Sequence, residues 1–168
     1  MTFGYPQRWA TVAPLTAGRP ATRRYTGGGI VEHGDDLTLT LAVPAPHPVA
    51  RLRPAESYRL IHEAVRSTLL PSVPGVRLAT GDDARPGPAC FTAPACLDLL
   101  WNGRKILGGA QRRTRHGLLY QGSLQNLTAP DDFPESLAAT LAHAWKSFTK
   151  MPPTHPGRYA DPAWNQLR

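Results

Sequence analysis

Apolar residues recur at strand and helix spacings along much of the chain. Residues 36–43 read DLTLTLAV, and the alternation of leucine and valine with threonine or alanine predicts a half-buried strand. Within residues 54–70 apolar side chains recur at spacings of three and four, which predicts an amphipathic helix. Its apolar stripe consists of Tyr58, Ile61, Val65 and Leu69. We expect the leucine face of the strand and the stripe of the helix to bury each other.

The second half of the chain has the signals of an antiparallel meander followed by a helix. Asn102-Gly103 is a strong hairpin signal, and a second turn is predicted at residues 115–117. Residues 97–124 are therefore predicted to form three antiparallel strands, and a second amphipathic helix is predicted over residues 134–148. Two shorter strands are predicted at residues 2–5 and 76–79.

Length and composition limit the protein classes that fit. The chain has 168 residues, of which 41% are hydrophobic, so it is long enough for one domain with a core. Its 15 glycines and 18 prolines predict long loops. It has no run of about 18 apolar residues and no signal-peptide pattern at its start. We therefore expect a cytoplasmic protein with no membrane association and with reduced thiols.

The net charge of +7 favours a negatively charged partner. Arginines supply most of it and are scattered, except at Arg112, Arg113 and Arg115. No nucleic-acid-binding motif accompanies them, so an acidic protein or a phosphate-bearing ligand is favoured over nucleic acid.

Three consecutive glycines, Gly27 to Gly29, follow the arginine pair at residues 23–24. Such a run is entropically costly, and it suits a tight turn or the close approach of the backbone to a ligand. Its amides could point at an anion or a carbonyl. An ordinary flexible hairpin loop is the alternative.

Lys105 lies in the strand that leaves the Asn-Gly turn. Strict alternation places it on the same face as Leu107 and Gly109, opposite Gly108. Lysine is uncommon in such an apolar strand, and the small glycines leave room beside it. Lys105 could therefore extend into a pocket as a fixed positive charge, although a solvated lysine is the alternative.

Two cysteines, Cys90 and Cys96, are too few for a disulfide framework and lack the spacing of a zinc motif, so no metal site is predicted. Cys90 ends a loop rich in glycine and proline. It is either an inert packed thiol or a thiolate nucleophile near cationic groups. Cys96 begins an apolar strand and is expected to pack.

Taken together, three segments resemble the lipoate–protein ligase and octanoyltransferase family. They are RRYTGGGIVEH, CFTAP, and NGRKILGGAQRR with LLYQGSL behind it, and the resemblance runs from about Thr2 to Leu124. The C-terminal RYADPAWNQLR is also similar to the end of that family. Biotin ligases resemble the chain less, because an Arg/Gly-rich loop replaces RRYTGGG in them.

The resemblance implies an α+β fold, with a mixed β-sheet and packed helices, of the biotin/lipoate protein ligase type (class II synthetase-like). It implies a catalytic domain over residues 1–150 and a Pro-rich tail over residues 151–168. Cys90 and Lys105 would be the catalytic residues, with Lys105 contacting the carbonyl end of an acyl group. The substrate-binding residues implied are Arg24, Thr26, Gly27, Gly28, Gly29, His33, Gly108, Gly109, Ala110, Gln121 and Gly122.

The implied function is transfer of an octanoyl or lipoyl group to a lysine of a lipoyl domain. One branch of the family has a cysteine in a CFxAP loop, as at Cys90, and takes the acyl group as a thioester from acyl carrier protein, with no cofactor. The other branch makes an acyl-adenylate and requires ATP and Mg. Lipoyl domains of this pathway are generally acidic, which suits the positive charge.

The sequence departs from the family pattern in three places. The family normally has a helix and a strand before the segment that matches Thr2–Tyr5. The usual Gln-His-Gly-Ser of the last meander strand is Tyr-Gln-Gly-Ser here, with Gln121 in place of the histidine. Little chain follows Ser123. A non-catalytic relative that binds acyl carrier protein or lipoyl domains is therefore the main alternative, and a nucleic-acid-binding protein is a third.

Overall fold

Two β-sheets, with helices packed on the larger one, make up the described part of the chain. The structure is a computed structural model that describes residues 1–84, 93–145 and 163–164. Its strands are β1 (Thr2–Phe3), β2 (Thr22–Arg23), β3 (Leu37–Pro44), β4 (Arg77–Leu78), β5 (Leu99–Trp101), β6 (Arg104–Thr114) and β7 (Gly117–Leu124). Its helices are α1 (Trp9–Val12), α2 (Pro48–Arg51), α3 (Pro54–Leu69) and α4 (Phe133–Trp145), with a 3₁₀ helix at Ala13–Thr16.

The larger sheet has the strand order β3-β7-β6-β5-β4, and every pairing in it is antiparallel. The smaller sheet is the parallel pair of β1 and β2. The expected α+β fold is confirmed, with the two pairing directions divided between separate sheets. The predicted meander over residues 97–124 is also confirmed, as β5, β6 and β7.

The main core forms between α3, α4 and one face of the larger sheet. The strand predicted at 36–43 is β3, and the helix predicted at 54–70 is α3. Leu41 of β3 is buried in the same cluster as Ile61, Val65 and Leu69 of α3. The predicted mutual burial of these two faces is therefore confirmed, and the opposite face of the sheet is left for other contacts.

A β-bulge in β6 changes the predicted direction of Lys105. Leu99 pairs with Leu107, but the next residue of β5, Leu100, pairs with Lys105, so β6 carries one extra residue. As a result the Lys105 side chain lies beside Gly108, not on the face of Gly109. Strict alternation predicted the opposite arrangement, because the pattern of residues gives no sign of the bulge.

Other elements differ in detail from what the sequence predicts. The first strand of the meander begins only at Leu99, and Cys96 lies in an exposed turn before it, so the expectation that Cys96 packs is wrong. α4 is described as far as Trp145, and the rest of the helix predicted over 134–148 lies outside the described residues. The short helices α1 and α2 had no periodic signal long enough to predict them.

Candidate active site

A cavity of about 360 Å³ lies between the face of the larger sheet that points away from the helices and the segment that carries the glycine run. The sheet contributes residues of β3, β6 and β7, and the facing wall comes from β1, β2 and the loop after β2. The lining residues are Thr2, Thr22, Arg24, Gly28, Val31, His33, Thr38, Leu39, Thr40, Lys105, Gly108, Gly109, Ala110, Gln121, Gly122 and Ser123.

Strand register orders the sheet wall of the cavity into two adjacent rows. The first row runs across the three strands as Thr38, Ser123 and Gly108. The second row is Thr40, Gln121 and Ala110. Small side chains on β6 leave the space above both rows open.

Lys105 forms a buried ion pair at the first row. Its Nζ lies 2.7 Å from Oδ2 of Asp98, and the two side chains are only 7% and 2% exposed. Asp98 Oδ2 also accepts from the backbone N–H of Ala95 at 2.7 Å, and Tyr58 lies 2.9 Å from the other carboxylate oxygen. The carboxylate is thus held from three directions, which fixes where the lysine amine sits.

Gly108 is required beside this pair. A Cβ at position 108 would lie 2.5 Å from Lys105 Cε and 2.8 Å from Lys105 Nζ. The lysine therefore follows a path to Asp98 that only glycine leaves open.

Burial keeps the groups behind the ion pair neutral. It raises the pKa of Tyr58 well above its usual value, with the Asp98 charge acting in the same direction, so the hydroxyl remains a donor. It lowers the pKa of His62 to about 3, and the Lys105 charge contributes to that shift. His62 is hydrogen-bonded through Nε2 to the buried Tyr120 hydroxyl at 2.8 Å. The lysine and aspartate are therefore the charged pair of this cluster.

The glycine run is tied to the body of the protein by Arg24 and by a close backbone contact. Arg24 donates from Nη2 to the carbonyls of Gly27 and Gly29 at 2.9 and 2.8 Å. A Cβ on Gly4 would collide with the carbonyl oxygen of Gly28, so the segment just after β1 and the run approach as closely as glycine allows. Gly28 itself has φ +84°. The run is therefore a fixed wall of the cavity.

A chain of hydrogen bonds crosses the rim of the cavity. Thr2 Oγ1 and His33 Nε2 are 2.8 Å apart, and His33 Nδ1 lies 2.7 Å from Asp36 Oδ2. Ser123 donates from Oγ to the same carboxylate oxygen at 2.6 Å, and Arg24 donates from Nη1 to Thr2 Oγ1 at 2.8 Å. Burial acts to raise the pKa of Asp36, but the bonds from Ser123 and His33 outweigh it, so the pKa is lowered and the carboxyl is ionised.

The second row is linked to the glycine segment by Thr26. Thr26 is fully buried and donates from Oγ1 to Oε1 of Gln121 at 2.9 Å. Gln121 thus joins β7 to the loop after β2. On the opposite side of the sheet, the ring of Tyr120 occupies the space that a Cβ on Gly109 or Gly122 would need.

The structure brings most of the sequence-predicted site residues to this one cavity. Arg24, Gly28, His33 and Lys105 line it, together with the predicted residues of β6 and β7. Thr26, Gly27 and Gly29 lie behind the wall in the contacts described above. Cys90, the predicted nucleophile, lies outside the described residues.

Sequence reasoning missed the residues that fix Lys105 and His33 in position. Asp98 pairs with Lys105 and is itself held by Tyr58, while Asp36 bonds His33 and is itself held by Ser123. Asp98 carries one detectable signal, since it is a carboxylate inside the otherwise apolar segment LDLLW. Tyr58 had no such signal, because its place in the apolar stripe of α3 fully accounts for it.

No described helix is long and apolar enough to span a membrane. Within residues 1–84, 93–145 and 163–164, no group of three or more histidine, cysteine or carboxylate side chains could hold a metal ion.

Comparison with known proteins decides the family. The sequence profile of the lipoyl protein ligase A/B catalytic domain matches residues 1–151. The chain belongs to this family. The resemblance found in the glycine run and the lysine strand is thereby confirmed.

Curated members of the lipoyl protein ligase A/B family are similar to the chain at moderate identity. An octanoyltransferase LipM of Geobacillus kaustophilus is 32% identical over 136 residues, which cover 74% of this chain and 49% of the relative. An octanoyltransferase LipM of Kyrpidia tusciae is 30% identical over 152 residues, covering 84% and 54%. The chain thus spans about half the length of these relatives.

Solved structures show the same fold at low sequence identity. A Thermoplasma acidophilum protein with bound lipoic acid matches with a TM-score of 0.70 and 17% identity, covering 98% of this chain and 80% of that one. A lipoate-protein ligase A bound with ATP matches with a TM-score of 0.62 and 16% identity, covering 98% and 81%. The described chain therefore has the fold of lipoate protein ligases.

Proposed function

We propose that the chain transfers an octanoyl or lipoyl group to a lysine of a lipoyl domain. The observation that carries this proposal is the Lys105 amine, held by Asp98 at one end of a cavity of about 360 Å³. That volume lies at the small end of ligand pockets, as suits a single acyl chain. The acyl group would lie over the two rows of the sheet, with its carbonyl at Lys105.

Lys105 would stabilise the negative charge that develops on the carbonyl oxygen during acyl transfer. A cation held in place before the reaction needs no reorganisation when that charge appears, and removing such a donor typically slows a reaction about 10²- to 10³-fold. Asp98, Tyr58 and the Ala95 amide supply the fixed surroundings.

Cys90 is proposed as the nucleophile. Its thiolate would attack the thioester of octanoyl–acyl carrier protein, forming a new C–S bond and releasing the carrier thiol. The lysine amine of the lipoyl domain would then attack the acyl-cysteine, forming the amide and releasing the Cys90 thiol. One thioester replaces another in the first step, so this route needs no ATP. The CFTAP segment and the octanoyltransferase names of the relatives support it.

A ligase route is the second candidate. In it, ATP and Mg would convert free lipoate to an acyl-adenylate, which the same lysine amine would attack. Its support is the shared fold with a lipoate-protein ligase A bound with ATP. Both routes end in attack by an amine on an acyl group, so the role of Lys105 is common to them.

The positive charge supports acidic protein partners. The net charge of +7 would favour encounter with an acidic lipoyl domain or with acyl carrier protein. These partners would be expected to bind less tightly as salt is added.

Intact-mass measurement tests the proposal. The protein is incubated with octanoyl–acyl carrier protein and a lipoyl domain, in the wild type and in the variants Cys90→Ser and Cys96→Ser. We expect an octanoyl adduct on the wild type and on the lipoyl domain. Cys90→Ser should abolish both, whereas Cys96→Ser, the matched control, should retain both.

A parallel reaction with lipoate and ATP separates the routes. Modification of the lipoyl domain by Cys90→Ser in that reaction would favour the ligase route and contradict the thioester route through Cys90. If the wild type fails to modify the lipoyl domain with either donor, the proposed acyl transfer is wrong and the non-catalytic binding alternative stands.

A further inference from the structure

The chain of hydrogen bonds at the cavity rim gives each ring nitrogen of His33 a partner. Arg24 donates to Thr2 Oγ1, and the threonine hydroxyl still has its own proton, which it can donate to His33 Nε2. Asp36, as an ionised carboxylate, accepts from His33 Nδ1. The network therefore accommodates the tautomer with its proton on Nδ1 and a lone pair on Nε2.

The surroundings hold this arrangement in place. The Asp36 side chain is only 4% exposed, whereas that of His33 is 26% exposed. Thr2 exchanges two backbone hydrogen bonds with Val31, both 2.8 Å long, which fixes the threonine beside the histidine two residues further on. A hydroxyl, an imidazole and a buried carboxylate in this order are the parts of a proton-accepting relay.

Strand register places the relay at the same end of the cavity as Lys105. Ser123, which bonds Asp36, lies directly across from Gly108 in the first row. Cβ positions of such partners are about 5 Å apart, and Lys105 Nζ lies 2.8 Å from the Cβ position of Gly108. His33 and Lys105 therefore flank one row, and the second row leads away from both.

We propose that His33, oriented by Asp36, is the general base that accepts the proton of the attacking amine. This inference rests on the proposed acyl transfer and is common to its thioester and adenylate routes. The amine nitrogen bonds to the acyl carbon, and the bond from that carbon to sulfur or to phosphate oxygen breaks. One amine proton passes to the Thr2 hydroxyl as the threonine proton moves to His33 Nε2. His33 then returns its proton to the leaving group or to solvent.

Several charged groups lie near His33. Asp36 contacts it directly, and Arg24 reaches it through Thr2. The adjacent Glu32 is engaged by Arg19 at 2.8 Å. Lys105 of β6, which lines the same cavity, is paired with Asp98. Asp36 is therefore the charged group that orients the histidine.

Single-turnover kinetics test the proposal, with acyl loading measured separately from transfer to the lipoyl domain. The variant is His33→Gln, and the matched control is His116→Gln, which replaces an exposed histidine of the β6–β7 turn. We expect His33→Gln to transfer about 10²-fold more slowly or worse, as for loss of a general base, and to slow transfer by a larger factor than loading. Added imidazole should restore part of the transfer rate.

Variants of Asp36 and Thr2 test the other two members of the relay. Asp36→Asn should slow transfer more than loading, and Thr2→Ser should retain the transfer rate that Thr2→Val loses. A His33→Gln protein that transfers as fast as the wild type, or that is slow but shows no imidazole rescue, would overturn the proposal. A wild type that neither loads nor transfers would instead overturn the proposed function, and the inference with it.

Discussion

Among single residues, Lys105 and Asp98 most clearly depend on each other. Both charges are buried, and breaking such a pair typically costs about 3–5 kcal/mol. The Tyr58 hydroxyl and the Ala95 amide occupy further acceptor positions on the carboxylate. The lysine amine is therefore fixed in position at the cavity wall. A solvated lysine on an outer face would not be fixed in this way.

Substitution of Gly108 tests this arrangement without removing either charge. Gly108→Ala places a methyl group 2.5 Å from Lys105 Cε, so the end of the lysine must move away from Asp98. We expect folding to persist with a loss of about 1–3 kcal/mol. Acyl transfer should fall about 10²-fold, as for loss of a positioned donor.

Gly81→Ala is the matched control, because a Cβ there meets no atom within 4 Å. Urea denaturation and the transfer rate are measured for both variants. Equal transfer rates in Gly108→Ala and the wild type would show that Lys105 does not need its present position.

At the scale of elements, periodicity alone sufficed for the strands and helices that bury one face. β3 and α3 were predictable because each places its apolar residues on one side for several turns or alternations. The bulge in β6 was not predictable, because it depends on how β5 and β6 pair, and the residue pattern of one strand does not show that pairing. The side of the sheet that Lys105 faces was therefore mispredicted.

The residues of the candidate site also fall into a group that the sequence predicts and a group that it does not. Residues with unusual local sequence, such as the glycine run and Lys105, could be selected from the chain alone. Partners contributed by distant elements could not, because Tyr58 is 40 residues from Asp98, and Ser123 is 87 residues from Asp36. Their roles arise only when the sheet brings them together.

The glycine run offers a test within one element. Gly28 has φ +84°, whereas a Cβ on Gly27 meets no atom within 4 Å. We expect Gly28→Ala to destabilise the fold by about 1–2 kcal/mol, because an L-residue is strained at positive φ. It should also raise the KM for the acyl donor by displacing a cavity wall.

Gly27→Ala should leave the KM for the acyl donor near that of the wild type. Steady-state kinetics and thermal melting of the two variants provide the comparison. If both alanines have the same effect, the conformation of Gly28 is not what the run requires.

At the scale of the whole molecule, the larger sheet separates the apolar core from the cavity, and the Lys105–Asp98 pair connects the two. One face packs against the apolar core, where His62 is buried against Tyr120, and the other lines the cavity. The pKa of His62 is lowered to about 3 in the folded protein, so below its ordinary value of 6.5 the unfolded chain binds a proton that the folded chain excludes. Folding stability should therefore decrease as the pH falls from about 6.5 toward 3.

Between pH 7 and pH 5 this effect amounts to about 2 kcal/mol, since each pKa unit is worth about 1.4 kcal/mol. Asp36 does not interfere, because its lowered pKa adds stability that is lost only below its ordinary value of 3.8. Urea denaturation at the two pH values measures the difference. His62→Gln should remove most of it and His116→Gln should keep it, whereas an undiminished difference in His62→Gln would assign the effect elsewhere.

A crystal structure with octanoate or lipoate bound tests the central claim most directly. The account predicts that the carboxyl end lies within hydrogen-bonding distance of Lys105 Nζ, about 3 Å, beside the row of Thr38, Ser123 and Gly108. The hydrocarbon chain should then run over the row of Thr40, Gln121 and Ala110. A chain bound outside this cavity, or one with its carboxyl end directed away from Lys105, would contradict the account.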